Sequence, residues 1–427
     1  MRNKLFLIIS FLFFSFSVIV SGQKLVNSPY ARFNLGILEP AGSFRSLGMG
    51  GVNVALRDNS SLIFSNPASY SSIDTNSFLF DFGIDYSINI LSDGDSKFFS
   101  DDMNFDHLFM GFPLTKGLGI AVGLVPLSNG YYKLLEDVKE GDPDYDPVTG
   151  EYSAFHSGEG GLTNCFVGAG INLTKNLSAG INMTILFGQI TRINQFSFDD
   201  YYEVFHNNTT EQLQISGINF DYGLQYTASL KKDYFINAGI SLTSGKKYKS
   251  NYENLSYVFT AYTTKDTLSY ISDNTTKAFL PGSLRAGIAF GKKNKFVAGV
   301  DFISTKWSAA KINGSDGYLA DTKSLLFGAE FIPDKFSNFS FLKRIEYRLG
   351  AHFNDNYLIL NGEQIKETGI TAGIGLPMSR SLSKVNLFMD FTRKRGSFDN
   401  NLHIENYFTT GVSLNLYDFW FIKRKYN

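Results

Sequence analysis

Phe78–Ile90, with the sequence FLFDFGIDYSINI, has Phe, Ile or Tyr at each even-numbered position. The intervening positions are mostly Asp, Gly, Ser or Asn. Alternation with a period of two residues predicts a β-strand with one face in an apolar medium and the other in a polar one. A strand of a soluble sandwich usually has about five to six residues, whereas about nine to eleven tilted residues cross a bilayer. The stretch therefore predicts a transmembrane β-strand.

The same alternation recurs about fourteen times along the chain. The segments are 78–90, 105–113, 117–126, 162–172, 177–190, 212–230, 234–243, 282–291, 295–304, 324–332, 344–353, 367–377, 384–394 and 407–418. An even number of strands can close into a barrel, which leaves no unpaired backbone edge in lipid. The sequence therefore predicts an all-β protein, a transmembrane antiparallel β-barrel of about 14 strands.

The lengths of the connections test this prediction independently. Connections after even-numbered strands are short: 113–116, 173–176, 231–233, 292–294 and 377–383, with a somewhat longer one at 333–343. Connections after odd-numbered strands are mostly long, and the longest are 127–161 and 244–281. Short periplasmic turns and long external loops are typical of bacterial outer-membrane barrels. The alternation in loop length therefore favours such a barrel over a soluble sandwich.

The composition limits the functions that the chain can have. The 427 residues carry a formal net charge of -1, which provides no basic surface for nucleic acid. Charged residues make up 19% of the chain, fewer than the roughly 25% typical of soluble domains. Cys165 is the only cysteine, so neither an internal disulfide nor a paired-cysteine metal site can form. The five histidines show no spacing that sets up a catalytic triad, so the sequence predicts no enzyme, no cofactor and no metal.

The N-terminus predicts export. Arg2 and Lys4 precede an apolar stretch from Leu5 to about Val20, and a cleavage site follows before Gln23. This pattern is typical of a secretory signal peptide, and the apolar stretch is shorter than a helical membrane span needs. We predict three parts, a signal peptide at 1–22, an N-terminal hatch or plug at 23–75, and an outer-membrane β-barrel at 76–427. A flexible periplasmic tail at 23–75 is the alternative to a hatch.

One region resembles a known family. The run 42–52 (GSFRSLGMGGV), the run 55–61 (ALRDNSS) and the triplet at 66–68 (NPA) are similar to the hatch signature of the FadL/TodX family, and the opening at 28–36 resembles a version of it common in Bacteroidota. Members of that family are fourteen-stranded outer-membrane channels for hydrophobic molecules. The hatch residues that this resemblance implies are Gly48, Gly50, Gly51, Asn66, Pro67 and Ala68.

The resemblance also implies a function, the passive transport of hydrophobic small molecules across the outer membrane. In the family the ligand leaves sideways through a gap at the third strand. Here that strand contains Gly119, Gly123 and Pro126, which makes them the candidate lateral exit. Proline cannot donate to a sheet and glycine weakens strand packing, so a local opening is physically reasonable. The alternative is that Pro126 ends the strand at the external rim.

The predicted inner face of the barrel is strongly polar. The inward charged residues are Asp81, Asp85, Asp221, Arg285, Asp301, Glu330, Arg344, Glu346, Arg348, His352 and Asp390. Such groups can pair with one another and fill the lumen instead of leading an apolar ligand through it. The broad FadL-like family also contains PorV, an adaptor of the type IX secretion system. The alternative function is therefore a structural or adaptor barrel in a protein secretion or barrel-assembly (BAM) complex.

The expected partners follow from these two functions. They are outer-membrane lipid, and either a hydrophobic small molecule or the proteins of a secretion or assembly complex. Thr267, within Asp266-Thr267-Leu268, matches a short pattern for O-glycosylation in Bacteroidota and is a candidate modification site in a long external loop.

Overall fold

A computed structural model describes residues 28–92, 97–142, 145–198, 205–260, 266–313, 319–378, 381–396 and 402–419. The predicted signal peptide at 1–22 lies outside the described residues. No helix in the described part of the chain is long and apolar enough to cross a membrane.

Strands dominate these ranges. The strands are β1 (Ile37–Leu38), β2 (Ser77–Ser92), β3 (Lys97–Thr115), β4 (Leu118–Asn129), β5 (Tyr132–Val138), β6 (Tyr152–Asn172), β7 (Leu177–Phe198), β8 (His206–Ser229), β9 (Tyr234–Thr243), β10 (Lys246–Phe259), β11 (Asp266–Asp273), β12 (Lys277–Leu280), β13 (Ser283–Lys292), β14 (Phe296–Thr305), β15 (Thr322–Phe331), β16 (Glu346–Leu360), β17 (Glu363–Pro377), β18 (Lys384–Arg395) and β19 (Ile404–Phe419). One short α-helix, α1, covers Phe44–Leu47, and 3-10 turns cover Pro29–Arg32, Pro67–Ser72, Lys231–Asp233, Trp307–Ala309 and Leu342–Arg344.

The long strands form a closed antiparallel barrel of 14 strands, which confirms the predicted fold class. The barrel strands are β2–β4, β6–β9 and β13–β19, each paired with its neighbours in chain order. Pairing of β19 with β2, from Ile404↔Ser92 to Phe419↔Ser77, closes the ring. Each of the fourteen predicted segments coincides with one of these strands.

Parts of the two longest predicted loops form strands. Residues 132–138 form β5, which pairs with β6, and residues 246–280 contain β10, β11 and β12. β10 pairs along its length with the first part of β8, from Phe259↔His206 to Lys249↔Ser216. These strands extend the wall beyond the region that faces lipid. The apolar alternation is absent because water and not lipid meets their outer face, so sequence alone reads them as loops.

The outer face of the barrel is an apolar belt. Large hydrophobic side chains project from successive strands, and the belt includes Ile181 on β7, Ile240 on β9, Ile288 on β13 and Phe302 on β14. Ile288 is 62% exposed in the isolated chain. Exposure of this much apolar surface is stable when the surrounding medium is hydrocarbon.

Placing a charge on this belt tests the lipid-facing assignment. Ile288 lies in the middle of β13, so we expect Ile288→Arg to destabilise the barrel by about 2–4 kcal/mol. Urea titration of folding into phospholipid vesicles measures this difference. Ile288→Leu is the matched control and is expected to stay close to the native stability. Equal stability of the two variants would mean that Ile288 does not face lipid.

Candidate functional site: the occupied lumen

The N-terminal segment, residues 28–76, lies inside the barrel. Leu35, Phe44, Met49, Val52 and Val54 are fully buried. All of these except Val54, with other apolar residues of the segment, pack into four hydrophobic clusters with inward-facing residues of the wall. Burial of each such side chain contributes about 1.5–3 kcal/mol. The segment therefore packs into the lumen as part of the protein core.

Glycines of the wall allow the backbone of this segment to approach closely. Every barrel strand except β18 carries an inward glycine whose Cβ, if present, would contact residues 44–70: Gly83, Gly111, Gly119, Gly170, Gly180, Gly223, Gly239, Gly287, Gly299, Gly328, Gly350, Gly373 and Gly411. At Gly328 and Gly350 the two atoms nearest to such a Cβ belong to the backbone of Met49 and Gly50. On β18 the ring of Phe388 stacks on Phe44 at 5.0 Å. The segment thus follows the inside of the wall around its whole circumference.

The glycines of the 42–52 run lie at these contacts. Gly48 follows α1, and a Cβ there would lie 3.2 Å from the Cα of Gly373. Gly50 has φ of 68° and donates its N–H to Thr371 Oγ1 at 2.8 Å. Gly51 has φ of 86°. L-residues rarely adopt such φ values, so this turn requires glycine.

The triplet Asn66-Pro67-Ala68 begins a 3-10 turn against the opposite wall. The Asn66 side-chain oxygen accepts the Ala68 N–H at 3.2 Å, and its Nδ2 donates to the Val54 carbonyl at 2.9 Å. Asn66 also donates to the Leu224 carbonyl of β8 at 3.2 Å. Asn66 therefore links two parts of the N-terminal segment to the barrel wall, which explains why an amide stands at the cap.

Charged side chains hold the other side of the segment. Arg45 donates to Glu330 of β15 through Nε and Nη2 at 2.9 and 2.8 Å, and Arg348 of β16 donates to the same carboxylate at 2.8 Å. Glu346 accepts from Arg348 and from Lys384. All five residues are buried. Together with Asp58, which pairs with Arg45, they form the lumen ion network.

This network makes a specific contribution to the pH dependence of stability. Burial alone would raise the pKa of Asp58, but Arg45, Lys384 and the backbone N–H of Ser60 hold that pKa well below its ordinary value near 3.9. The folded state therefore binds fewer protons than the unfolded state. The resulting stability is complete above about pH 4 and is lost as the pH falls towards the lowered pKa.

We expect Asp58→Asn to remove this contribution. The difference in Tm between the native chain and the variant should be largest at pH 6 and should shrink as the pH falls to about 3. Thermal unfolding in detergent, followed by circular dichroism, measures both proteins across this range. A Tm difference that stays constant with pH would contradict the ionised Asp58–Arg45 pair.

The remaining predicted lumen residues make local contacts. Asp301 accepts the N–H groups of Asn53 and Val54 at 2.6 and 2.8 Å. The other contacts are His107 with Asp81 at 3.2 Å, Thr184 with Asp221 at 2.9 Å, Arg285 with Thr243 at 3.3 Å, His352 with Asp390 at 3.4 Å, and Thr392 with Asp390 at 2.8 Å. Arg344 is the exception, because it lies outside the strands. It ends the turn before β16 and lies over the Phe341 ring, because β16 begins two residues later than predicted.

The three residues of the candidate lateral exit, on the third barrel strand β4, lie in different environments. Gly119 and Gly123 lie where β4 is paired on both sides, and Gly119 contacts the Tyr70 carbonyl. Pro126 lies beyond the last β3–β4 pair, Leu108↔Leu124, and lines a cavity of about 240 Å³. The backbone pairing of β4 with β6 continues past Pro126 to Asn129 with one irregularity.

Two further predictions concern modification and metals. Thr267 lies on β11 and is exposed outside the apolar belt, an accessible position for a modifying enzyme, and its glycosylation stays a prediction. In the described ranges, no three or more His, Cys, Asp or Glu side chains come together as a metal site.

The closed 14-stranded barrel, its apolar outer belt and its occupied lumen define an outer-membrane β-barrel protein. A family model described as BamG matches residues 1–427, and the chain belongs to the BamG family. No curated protein matches the chain.

Solved structures share the fold. They include the CymD monoaromatic hydrocarbon channel, with 15% identity, a TM-score of 0.57, and coverage of 90% of this chain and 98% of CymD. The Pseudomonas putida toluene transporter TodX has 15% identity and a TM-score of 0.57, with 91% of this chain and 100% of TodX covered. A Pseudomonas aeruginosa FadL homologue has 10% identity and a TM-score of 0.56, with 90% and 99% covered. The resemblance to the FadL/TodX family is confirmed at the level of the fold.

Sequence reasoning missed two groups of site residues. The wall glycines occupy positions that the alternation assigns to the inner face, and their recurrence there was the available signal. Arg45, Asp58 and Lys384 were not predicted to join the lumen charges, because no periodicity marks charged residues in an irregular segment or at the end of a strand.

Proposed function

We propose that this chain is a structural, non-enzymatic barrel subunit of an outer-membrane protein complex that assembles or secretes other proteins. The observation that supports this role is the occupied lumen. The N-terminal segment contacts the wall around the circumference, and the lumen ion network fixes it to β15, β16 and β18. A barrel filled in this way acts through its surfaces, and the hatch assigned to residues 23–75 is then a permanent part of the core.

The external extension supplies such a surface. β5 and β10–β12 continue the wall beyond the apolar belt, and β11 exposes Leu268, Tyr270 and Ile271 to solvent. Exposed apolar side chains at a sheet edge are typical of a protein contact. The name of the BamG family supports a barrel-assembly complex as the particular assembly.

A gentle-detergent pull-down of a tagged chain from its own cells tests this role. We expect stoichiometric co-purification of outer-membrane assembly or secretion proteins, measured by native gel and mass spectrometry. A tagged barrel of the same size from the same membrane is the control for detergent carry-over. Recovery of the chain alone, at native expression level, would contradict the proposal.

The second candidate function is passive transport of hydrophobic small molecules. It is supported by the interruption in β3–β4 pairing next to Pro126 and by the shared fold with channels for toluene and monoaromatic hydrocarbons. In this role Gly119, Gly123 and Pro126 would border the lateral exit. Entry of radiolabelled toluene into cells that carry the chain, compared with cells that lack it, measures this activity. We expect no difference if the lumen is permanently filled.

A further inference from the structure

One connection at the periplasmic end of the barrel differs from the others. Short turns mark that end of an outer-membrane barrel, and the connection between β15 and β16, residues 332–345, is the longest of them. We call it the periplasmic loop. Four of its large apolar side chains are exposed: Phe336, Phe339, Phe341 and Leu342. A cluster of exposed apolar side chains is typical of a surface that contacts another molecule or lipid.

The periplasmic loop is held in one shape by its own hydrogen bonds. The N–H of Asp334 donates to the Lys343 carbonyl at 2.7 Å, which closes the base of the loop. The Asp334 carboxylate accepts the Phe336 N–H at 3.2 Å, and the Arg344 N–H donates to the Phe341 carbonyl at 2.9 Å. The apolar side chains are therefore presented on an ordered turn.

The periplasmic loop is joined to the lipid-facing side of the wall. Phe331 and Tyr347 are register partners on β15 and β16, and both side chains are exposed on the outer face. The Tyr347 hydroxyl donates to the Leu342 carbonyl at 3.1 Å. Lys295 of the neighbouring turn lies 5.4 Å from the centre of the Phe331 ring, and its Nζ donates to the Pro333 carbonyl at 2.5 Å. The loop thus continues the apolar belt beyond the ends of these strands.

The length of the neighbouring strands sets the depth of the periplasmic loop in the membrane. β9, β13, β14 and β15 have ten residues each and are the shortest of the fourteen barrel strands. Ten residues that rise about 3.3 Å each and tilt by about 40° span about 25 Å, which is the height of the apolar band of an outer-membrane barrel. The residues that follow β15 therefore enter the headgroup layer, where aromatic side chains are enriched.

This part of the rim is strongly positive. Residues 292–295 and the periplasmic loop contain one acidic residue, Asp334, and six basic ones: Lys292, Lys293, Lys295, Lys335, Lys343 and Arg344. None of the six forms an ion pair with a carboxylate in the described ranges. Lys295 and Lys343 contact the adjacent residues Pro333 and Asp334, so they lie on the two sides of one short stretch of backbone.

We propose that this rim binds an anionic phospholipid of the periplasmic leaflet. Lys295, Lys343 and Arg344 surround its phosphate, and the apolar side chains of the periplasmic loop lie against the upper part of its acyl chains. A guanidinium matches phosphate oxygens in a bidentate way, and lysine adds a point charge. Basic residues at a membrane surface favour anionic headgroups.

Lipid is favoured over a protein partner by two observations. The periplasmic loop is continuous with the lipid-facing belt, and its unpaired cations lie at the depth of the lipid phosphates. The site requires only the barrel in its membrane and does not rest on the role proposed above.

Quenching of a single tryptophan tests where the periplasmic loop lies. Trp307→Phe and Trp420→Phe remove the natural tryptophans, and Phe339→Trp places one reporter in the loop. The variant is folded into vesicles of phosphatidylethanolamine and phosphatidylglycerol whose acyl chains are brominated near the headgroup. We expect the brominated lipid to quench this reporter. The control is Val148→Trp in the same background, at an exposed position of the long external connection, and it is expected to stay unquenched.

Native mass spectrometry measures the headgroup preference. The purified chain in non-ionic detergent is mixed with equal amounts of phosphatidylglycerol and phosphatidylethanolamine that have the same acyl chains. We expect it to retain more phosphatidylglycerol, and we expect the double variant Lys343→Gln and Arg344→Gln to reduce this preference about tenfold. The control, Lys247→Gln and Lys249→Gln, removes the same charge from exposed positions of β10 and is expected to keep the preference.

Heat-dependent gel migration establishes that each variant is folded. The proposal is overturned if brominated lipid does not quench the Phe339→Trp reporter, because a loop in water would be a surface for a protein partner instead. It is also overturned if the native chain retains the two lipids equally, or if the loop variant and the β10 control keep or lose the preference alike.

Discussion

Arg45→Met is expected to detach the N-terminal segment from the wall. Arg45 is the only member of the segment that donates to Glu330 among the described contacts, and it also neutralises Asp58. Removing one partner of a buried ion pair leaves an unpaired charge, which destabilises a protein by about 3–5 kcal/mol. Arg348 still pairs with Glu330 in the variant, so we expect the loss to appear at Asp58 and along residues 44–58.

Hydrogen exchange of residues 44–58 measures this effect directly, and conductance across a planar bilayer measures its consequence. We expect faster exchange in that stretch and ion current through a lumen that the native chain keeps closed. Arg32→Met is the matched control, since Arg32 lies in the same segment and is exposed. If Arg45→Met keeps native exchange rates and stays non-conducting, the lumen ion network does not hold the segment.

Gly328→Val is expected to destabilise the protein by a similar amount, because the new side chain overlaps the N-terminal segment. A Cβ at Gly328 would overlap the backbone carbonyl of Met49, and the α-carbon of Met49 is fixed by its neighbours in the turn at Gly50 and Gly51. Backbone cannot rotate aside as a side chain can, so either β15 or the segment must move. Overpacking of this kind typically costs about 1–3 kcal/mol, and more where backbone is displaced.

The chain contains a close control for this substitution. Ala329 is the next residue on β15, and its side chain is exposed on the outer face. Ala329→Val adds a similar number of atoms in lipid and is expected to leave the urea midpoint of unfolding nearly unchanged. The measurement compares midpoints and the proteolysis of residues 28–76 for the two variants. Equal midpoints would show that the wall and the segment are not in contact at this height.

The parts of the fold and of the candidate site that the sequence predicts are those fixed by interactions local to each residue. The alternation at 78–90 predicts β2 because each residue of a lipid-crossing strand meets its environment directly. The strands β10 and β11 were missed because β10 pairs with β8 and β11 pairs with β10 in water, and such pairing demands no apolar face. The 42–52 run marked Gly48, Gly50 and Gly51 as special but gave no information on which wall residues they would meet.

The sequence by itself determined the number of barrel strands, their inner and outer faces and the direction of the long loops. These properties follow from the solvent at each residue and from chain connectivity, both of which are local. Only the tertiary structure decided that Arg45 reaches Glu330 and that glycines on every barrel strand except β18 receive the N-terminal segment. Each of these contacts joins residues far apart in sequence, and their geometry is fixed only when the barrel closes around the segment.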